Sequence, residues 1–300
     1  MNQKIELNEF ISTIKQIVTI TSSTFLQNFS RTHPSVIFTK QNQAPEDIIQ
    51  RSKALALDVA QATSDSEDNF LTWIHNYSGN RWNDFANDYN SIQHLVSKRE
   101  RIVDAGAAPY ILSALLKQDG HEIIPLDIDP GRHIPVIELL NLIPRQCALD
   151  KDRWPVESDS CSIVIMNEVF EHLRNPLHAL KNTHRILKKS GYFTITTPNL
   201  GSYSGIVNFF LANRAQALST DIFSEYIKLE RIGHMGHVRE YTINEMCDCA
   251  EKVGFVLERI EFSGPSKYQL LVKQNQKIEI DLTNSAPHLL LKARYFFKKQ

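Results

Sequence analysis

A cluster of acidic residues and a histidine follows a strongly apolar segment in the middle of the chain. The run from Ser162 to Met166 predicts a buried strand, and Asn167, Glu168, Glu171 and His172 come directly after it. In an open α/β sheet, ligands bind at the carboxyl ends of the strands. If a helix begins here, Glu168, Glu171 and His172 stand at i, i+3 and i+4 and share one face. This arrangement indicates a reactive site, whose chemistry depends on the rest of the chain.

The composition is that of an ordinary globular protein. The chain has 300 residues, of which 42% are hydrophobic and 22% charged, and this length suits one large domain or two smaller ones. A formal net charge of −1 gives no overall field that would attract nucleic acid or anionic lipid. The four cysteines do not form a disulfide framework, and Cys247 and Cys249 lack the second pair that a zinc site needs.

No targeting or membrane segment is predicted. No apolar run approaches the roughly 18–20 residues of a membrane span. The amino terminus carries Lys4, Glu6 and Glu9 among its apolar residues, which is unlike a secretory signal. We therefore expect a reduced, cytoplasmic location.

Residues 1–95 are predicted to form a mainly helical extension. Apolar residues at helical spacing favour helices over residues 5–18 and 44–62, and residues 70–97 are rich in aromatic side chains, asparagine and aspartate.

Strands and helices alternate from Arg101 onward, which predicts an α/β fold with a doubly wound, mostly parallel seven-stranded sheet. The predicted domain covers residues 96–273, with an insertion over 198–241 and a tail over 274–300. Five strands precede the insertion. Phe255–Phe262 and Tyr268–Val272 are predicted as the closing pair.

Two strand ends carry residues suited to a nucleoside ligand. Asp104 and Gly106 lie in a small-residue turn that precedes a helix, where backbone can approach a ligand closely. The next strand ends at Asp127, whose carboxylate can accept hydrogen bonds from ribose hydroxyls. The turn lacks the further glycines of a pyrophosphate cradle, which argues against a dinucleotide.

Taken in order, these segments resemble the class I S-adenosylmethionine-dependent methyltransferases of the type 11/23 kind, with a Rossmann-like fold. The resemblance covers roughly residues 96–273 and rests on seven ordered motifs. They are Val103–Tyr110, Leu126–Pro130, Asp150–Pro155, Glu157–His172, Arg185–Gly191, Thr196–Asn199, and His237–Thr242 followed by Gly254 and Phe255.

The resemblance implies S-adenosylmethionine as cofactor and assigns residues to it. Asp104, Gly106 and Ala108 would lie at its methionine end, Asp127 at the ribose, and Ile128 against the adenine. Asp150 and Lys151 would border the adenine, and Asn167 would lie beside the sulfonium. The chain departs from the family pattern where Ala108 and Tyr110 replace glycines, so we expect a bulkier loop, and where Ser162 replaces an aspartate.

The Glu-x-x-Glu-His element is similar to that of metal-assisted small-RNA 2′-hydroxyl methyltransferases and of quinone-pathway O-methyltransferases. By that resemblance Glu168, Glu171, His172 and His237 would hold Mg²⁺ or Mn²⁺, which would acidify an acceptor hydroxyl. Alternatively these residues only shape the pocket without a metal. His234 or His237 is then a candidate general base, and Glu171 and His172 would lie beside the reacting atoms.

We predict O-methylation of a sugar, glycan or lipid-linked acceptor, or of another small metabolite. The alternatives are a quinone-type or small-aromatic O-methyltransferase, an amino-sugar N-methyltransferase, or a non-catalytic partner protein. Nucleic acid is a poor fit because no basic stripe with interleaved aromatics is present. The tail Pro287–Lys299 mixes apolar and basic residues and would pack against the protein or contact a membrane surface. The oligomeric state is not determined by the sequence.

Overall fold

The computed structural model of the chain describes residues 2–64, 68–95, 97, 99–218, 221–231, 236–265, 267–272, 276–281 and 287–300. Its central feature is a mixed sheet of eight strands with helices packed on both faces. None of the helices in these ranges is both long and apolar enough to cross a bilayer.

The amino-terminal extension is mainly helical and also contributes one strand. The helices predicted near residues 5–18 and 44–62 are present, and the first of them is longer than its apolar pattern indicated. The elements are α1 (Asn2–Thr32), β1 (Ile37–Lys40), α2 (Glu46–Ala62), α3 (Asn69–Asn80) and α4 (Trp82–Ile92). Strand β1 was not predicted. It pairs in parallel with a strand more than 200 residues later in the chain, so local sequence could not indicate its partner.

The alternating part of the chain forms the predicted doubly wound core. Its strands are β2 (Arg101–Ala105), β3 (Glu122–Asp127), β4 (Arg145–Gln146), β5 (Cys161–Asn167) and β6 (Leu187–Pro198). Between and after them lie α5 (Ile111–Gln118), α6 (Ile134–Leu140), α7 (Pro176–Ile186), α8 (Tyr203–Ala212), α9 (Ile222–Arg231) and α10 (Ile243–Glu251). The remaining strands are β7 (Phe255–Ser263), β8 (Lys267–Val272), β9 (Gln276–Asp281) and β10 (Lys292–Lys299).

The strand order of the sheet is β1-β7-β10-β6-β5-β2-β3-β4. Strands β2, β3 and β4 are neighbours in that order, toward one edge of the sheet. The chain then returns, and β5 pairs with the other side of β2. The order therefore reverses between β2 and β5. In this type of fold, ligands bind at such a switch point, beside the carboxyl ends of the two strands.

Side chains that alternate along the central strands fill two separate cores. Val103 and Val164 belong to the core on one face, whereas Ile102 and Ile163 belong to the core on the other. Because consecutive residues of a strand point to opposite faces, strands covered by helices on both sides are apolar throughout. This explains the unbroken apolar run from Ile163 to Met166.

The expected number of strands and the expected closing pair were both wrong. The sheet has eight strands rather than seven because β1 joins one edge. Strand β8 pairs with β9 in a separate hairpin, and it is β10 that lies between β6 and β7, antiparallel to both. Which strand lies between β6 and β7 depends on pairing with residues far away in the sequence. The local pattern of residues 268–272 predicts a strand but does not reveal its partner.

The end of the chain is therefore part of the sheet. Tyr295 pairs with Ile195 on one side and with Ile260 on the other, and Phe296 and Phe297 are fully buried. These residues pack against the rest of the protein, as one of the two interpretations of this segment predicts.

Candidate active site

The turn after β2 requires a glycine at position 106. Gly106 has φ +79°, in the left-handed region that favours glycine, and an added Cβ would overlap the side chain of Val169. Its amide donates to the carbonyl of Leu126, at a distance of 2.8 Å, which ties the turn to β3. The turn after β2 and the loop after β5 thus pack directly against each other.

Tyr110 occupies a position where the family pattern has glycine. It also adopts a left-handed backbone, with φ +67°, immediately before α5. Its ring is completely buried and packs edge-on against His133, with the ring centroids 5.2 Å apart. The bulk of this side chain therefore lies in the core between the turn and the segment after β3.

Two buried carboxylates lie at the carboxyl ends of β2 and β3. Asp104 accepts a hydrogen bond of 2.6 Å from the hydroxyl of Ser113, and burial raises the pKa of Asp104 to about 6. The Oδ1 atom of Asp127 accepts from the backbone N–H of Asp129 at 2.9 Å. Next to it, Ile128 exposes 38% of its surface. An acid that can accept hydrogen bonds beside an exposed apolar side chain suits a ribose and its base.

Two adjoining cavities open at the switch point. Cavity A has a volume of about 500 Å³, and cavity B one of about 450 Å³. Of the residues predicted to bind the cofactor, the following line cavity A: Gly106, Ala108, Asp127, Ile128, Asp150, Lys151 and Asn167. Asp104 lines cavity B, together with Gly106, Ala108 and Asn167. The tertiary structure therefore brings all eight predicted residues to one region.

The helix expected directly after Asn167 is absent. Glu168 has φ +53°, and only a single 3₁₀ turn, Phe170–His172, follows before α7 begins at Pro176. The spacing of the acids favours a helix, but none forms here because the backbone of Glu168 lies outside the right-handed helical region. Glu168 and Glu171 consequently do not share a helix face.

Glu168 instead forms an ion pair with Lys292, at the start of β10. The Nζ atom lies 2.6 Å from Oε2, and both side chains are largely buried. Burial alone would raise the pKa of Glu168, but the attraction of Lys292 outweighs it and holds the pKa below its usual value.

Glu171, His172 and His237 form a compact cluster that lines cavity A. One ligand atom from each residue lies within 4.8 Å of the others. The Oε2 atom of Glu171 accepts from the hydroxyl of Thr197 at 3.0 Å, and Nδ1 of His172 lies 3.0 Å from the carbonyl oxygen of Gly236. Since a carbonyl can only accept, this nitrogen of His172 is the donor, and its Nε2 is left as an acceptor.

Burial dominates the electrostatics of the cluster. It raises the pKa of Glu171 to about 8, with a further contribution from Glu168, and it lowers the pKa of His172 to about 4, assisted by His237. Burial also acts to lower the pKa of His237, but hydrogen bonding to Glu240 and the charge of Glu171 outweigh it, so that this pKa is raised.

Glu240 is a site residue that the sequence alone did not identify. It is 5% exposed, and its Oε1 atom lies 3.2 Å from Nδ1 of His237. The sequence signal that could have identified Glu240 is its position three residues after His237. His234, the other predicted base, lies in 232–235, outside the described residues.

The amino-terminal extension supplies one wall of the site. Phe70, Trp73, Tyr77 and Arg81 line cavity A, and the guanidinium of Arg81 lies over the ring of Tyr77, 4.6 Å from its centroid. The aromatic character of this segment was visible in the sequence, but its position over the strand ends depends on the packing of α3 and α4.

The donor set of the cluster fits a divalent cation. One carboxylate and two imidazoles are suitable ligands, and the Oε1 atom of Glu171 is buried without a hydrogen-bond partner among the described residues. Glu168, the fourth predicted ligand, is not part of this cluster, and its Oε2 atom pairs with Lys292.

A comparison with protein families identifies the family of the chain. Residues 77–260, more than half of the chain, match the family model described as a methyltransferase domain. The chain therefore belongs to this family, as a class I S-adenosylmethionine-dependent methyltransferase.

Solved structures of methyltransferases are similar to this chain. An S-adenosylmethionine-dependent methyltransferase from Archaeoglobus fulgidus is 18% identical, with a TM-score of 0.53, over 77% of this chain and 100% of that one. One from Mesorhizobium loti is 13% identical, with a TM-score of 0.49, over 71% and 97%. No curated protein matches the sequence.

Proposed function

We propose that the protein transfers the methyl group of S-adenosylmethionine to a hydroxyl of a small metabolite, and that a sugar, glycan or lipid-linked precursor is the favoured acceptor class. The observation that carries the proposal is the position of Glu171, His172 and His237 in the same cavity as Asp127 and Ile128. A hydroxyl is a weak nucleophile until its proton is removed or its oxygen is bound to a cation. A thiol or phenol needs less help of this kind.

The cofactor assignment follows the family and fits the side chains present. Gly106 has no Cβ where one would collide, Asp127 can accept from ribose hydroxyls, and Ile128 exposes an apolar surface suited to the adenine. When bound, S-adenosylmethionine supplies an activated methyl group. The protein then has to align the acceptor and exclude water from the site.

We further propose that Glu171, His172 and His237 hold a divalent cation, Mg²⁺ or Mn²⁺. Such an ion would lower the pKa of a bound acceptor hydroxyl. Glu240 contacts Nδ1 of His237, and the carbonyl of Gly236 accepts from His172, so both rings are oriented by a second partner. Hydrogen bonds of this kind commonly fix histidine ligands of metals.

Binding of added Mn²⁺ tests the proposed cation site directly. We expect Mn²⁺ to bind the purified protein with about one equivalent by calorimetry, and Glu171→Ala to abolish this binding while leaving affinity for S-adenosylmethionine nearly unchanged. Glu138→Gln, which alters an exposed carboxylate outside both cavities, is the matched control. Unchanged turnover after chelation would exclude the cation. Loss of turnover in His237→Ala would then assign proton removal to His237, with Glu240 as its orienting partner.

The acceptor is identified by mass gain. Purified protein and S-adenosylmethionine are incubated with matched acceptors that offer a sugar hydroxyl, a phenol, a quinone-type ring hydroxyl or an amino sugar. We expect a gain of one methyl group on the sugar hydroxyl. Methylation only of a phenol or of an amine would establish the quinone-type, small-aromatic or N-methyltransferase alternative. Folded protein that does not bind S-adenosylmethionine in calorimetry would indicate a non-catalytic partner.

A further inference from the structure

The side-chain amide of Asn167 is held by residues of α4, β6 and β10. Its Oδ1 atom accepts hydrogen bonds from Nη1 of Arg294 at 3.1 Å and from the hydroxyl of Thr196 at 3.2 Å. Its Nδ2 atom donates to Oδ2 of Asp88 at 3.1 Å. Asn167 itself ends β5 and lines both cavities.

Asp88 and Arg294 also form an ion pair with each other. Asp88 lies on α4 of the amino-terminal extension, and Arg294 lies on β10 and is only 2% exposed. Gln41, just after β1, donates at 3.4 Å to Oδ1 of Asp88, the same oxygen that Arg294 contacts. Buried charges of this kind are costly unless each is paired and hydrogen-bonded. Here the pairing encloses the amide of Asn167.

These contacts fix which way the amide points. An asparagine oxygen has two lone pairs, and both are occupied by donors, whereas the nitrogen has two N–H groups and one is occupied by Asp88. A rotated amide would place its nitrogen against Arg294 and its oxygen against the carboxylate of Asp88, and both contacts would be repulsive. The remaining hydrogen-bonding capacity of Asn167 is therefore one N–H donor.

We propose that Asp88 and Arg294 are positioning residues that hold Asn167 with a single N–H donor available to an oxygen atom of bound S-adenosylmethionine. The inference rests on the proposed cofactor site, in which Asn167 lies beside the reacting centre. It also assigns a role to both terminal segments, since α4 and β10 must be in place together for the amide to be fixed.

A double-mutant cycle tests whether the effect passes through Asn167. Calorimetry with S-adenosylmethionine compares Asp88→Asn, Asn167→Ala and the combined variant. We expect Asp88→Asn alone to weaken binding about tenfold, as loss of one oriented hydrogen bond does, and to have less than a twofold effect once Asn167 is alanine. Equal effects in both backgrounds would overturn the proposal, because a purely structural role would be additive.

An exchange of the two side chains separates stability from positioning. Asn167→Asp combined with Asp88→Asn restores a donor–acceptor pair between the two positions, but it removes the N–H that the ligand would use. We expect thermal stability near that of the wild type and binding at least tenfold weaker. Recovery of binding along with stability would overturn the inference.

Conservative variants cover the case in which the buried charge is needed for folding. Arg294→Lys keeps the charge but not the two-pronged contact, and we expect binding about fivefold weaker. Arg259→Lys is the matched control, because Arg259 also links α4 to the sheet, through the carbonyl of Ser91, but does not contact Asn167. Equal losses in these two variants would refute a specific role for Arg294. If the wild-type protein itself does not bind the cofactor, the proposed function fails. If the wild type binds but the double-mutant cycle is additive, only the role of Asp88 and Arg294 fails.

Discussion

The ammonium group of Lys292 lies 2.6 Å from Oε2 of Glu168, so the last strand of the sheet is joined to the loop that carries the candidate catalytic residues. Glu168 has a left-handed backbone, which costs about 1–2 kcal/mol for a residue with a side chain. The ion pair and the packing of Val169 against Gly106 compensate for this strain. Glu168 does not belong to the cluster of Glu171, His172 and His237.

Replacing Lys292 with methionine should destabilise the fold. Glu168 would be left as a buried charge without its cation, and we expect the free energy of unfolding in urea to fall by about 3 kcal/mol. Lys298→Met is the matched control on the same strand, because its partner Glu258 lies 3.7 Å away and both are well exposed. In Lys298→Met the free energy of unfolding should fall by less than about 1 kcal/mol. Adding Glu168→Gln to Lys292→Met should recover most of the loss, and failure to recover would argue against the ion pair.

Gly106→Ala should be much more harmful than Gly120→Ala. Both glycines have positive φ, +79° and +87°, so both substitutions carry a similar backbone cost of about 1–2 kcal/mol. Only at Gly106 would the new Cβ also overlap Val169; at Gly120 nothing described lies within 4 Å. Thermal unfolding and calorimetry with S-adenosylmethionine measure the difference. Val169→Ala should partly rescue Gly106→Ala, and equal effects of the two glycine variants would contradict the packing argument.

Asp104 should make the stability of the free protein depend on pH. Its folded pKa of about 6 lies above the unfolded value of 3.8, so the folded state binds more protons between these pH values and stability decreases as pH rises through them. The loss amounts to about 3 kcal/mol, at roughly 1.4 kcal/mol per pKa unit. Asp104→Asn lacks this contribution. Its free energy of unfolding in urea should therefore rise relative to that of the wild type between pH 4 and pH 7. A constant difference between the two proteins would show that Asp104 titrates normally.

Tyr110→Phe should be neutral or stabilising. The hydroxyl of Tyr110 is buried and has no hydrogen-bond partner among the described residues, so removing it relieves a desolvation cost of about 1–3 kcal/mol. Tyr89→Phe is the contrasting variant, since the hydroxyl of Tyr89 donates to Asp119, and it should lose about 1 kcal/mol. Differential scanning calorimetry of both variants makes the comparison. A clear loss of stability in Tyr110→Phe would mean that the hydroxyl has an unrecognised partner.

The sequence by itself determined the parts of the protein that depend on neighbouring residues. Apolar runs that end in Asp104, Asp127 and Asn167 predicted three parallel strands, because buried strands are continuous in hydrophobicity and their ligand-facing ends are polar. Gly106 was identified because a small-residue turn before a helix lets the backbone approach a ligand closely. The order of these motifs was sufficient to indicate the methyltransferase family, which the family match confirms.

Only the tertiary structure decided the features that depend on distant pairing. Three such features are the place of β10 between β6 and β7, the ion pair of Lys292 with Glu168, and the enclosure of Asn167 by Asp88 and Arg294, and all of them join residues that are distant in the sequence. The same contacts explain why the helix expected at Glu168 does not form: local spacing favoured it, but packing against Gly106 and Lys292 selects a different backbone. Local patterns define strands and turns, whereas the burial of charges and the order of strands are settled by the energy of the whole fold.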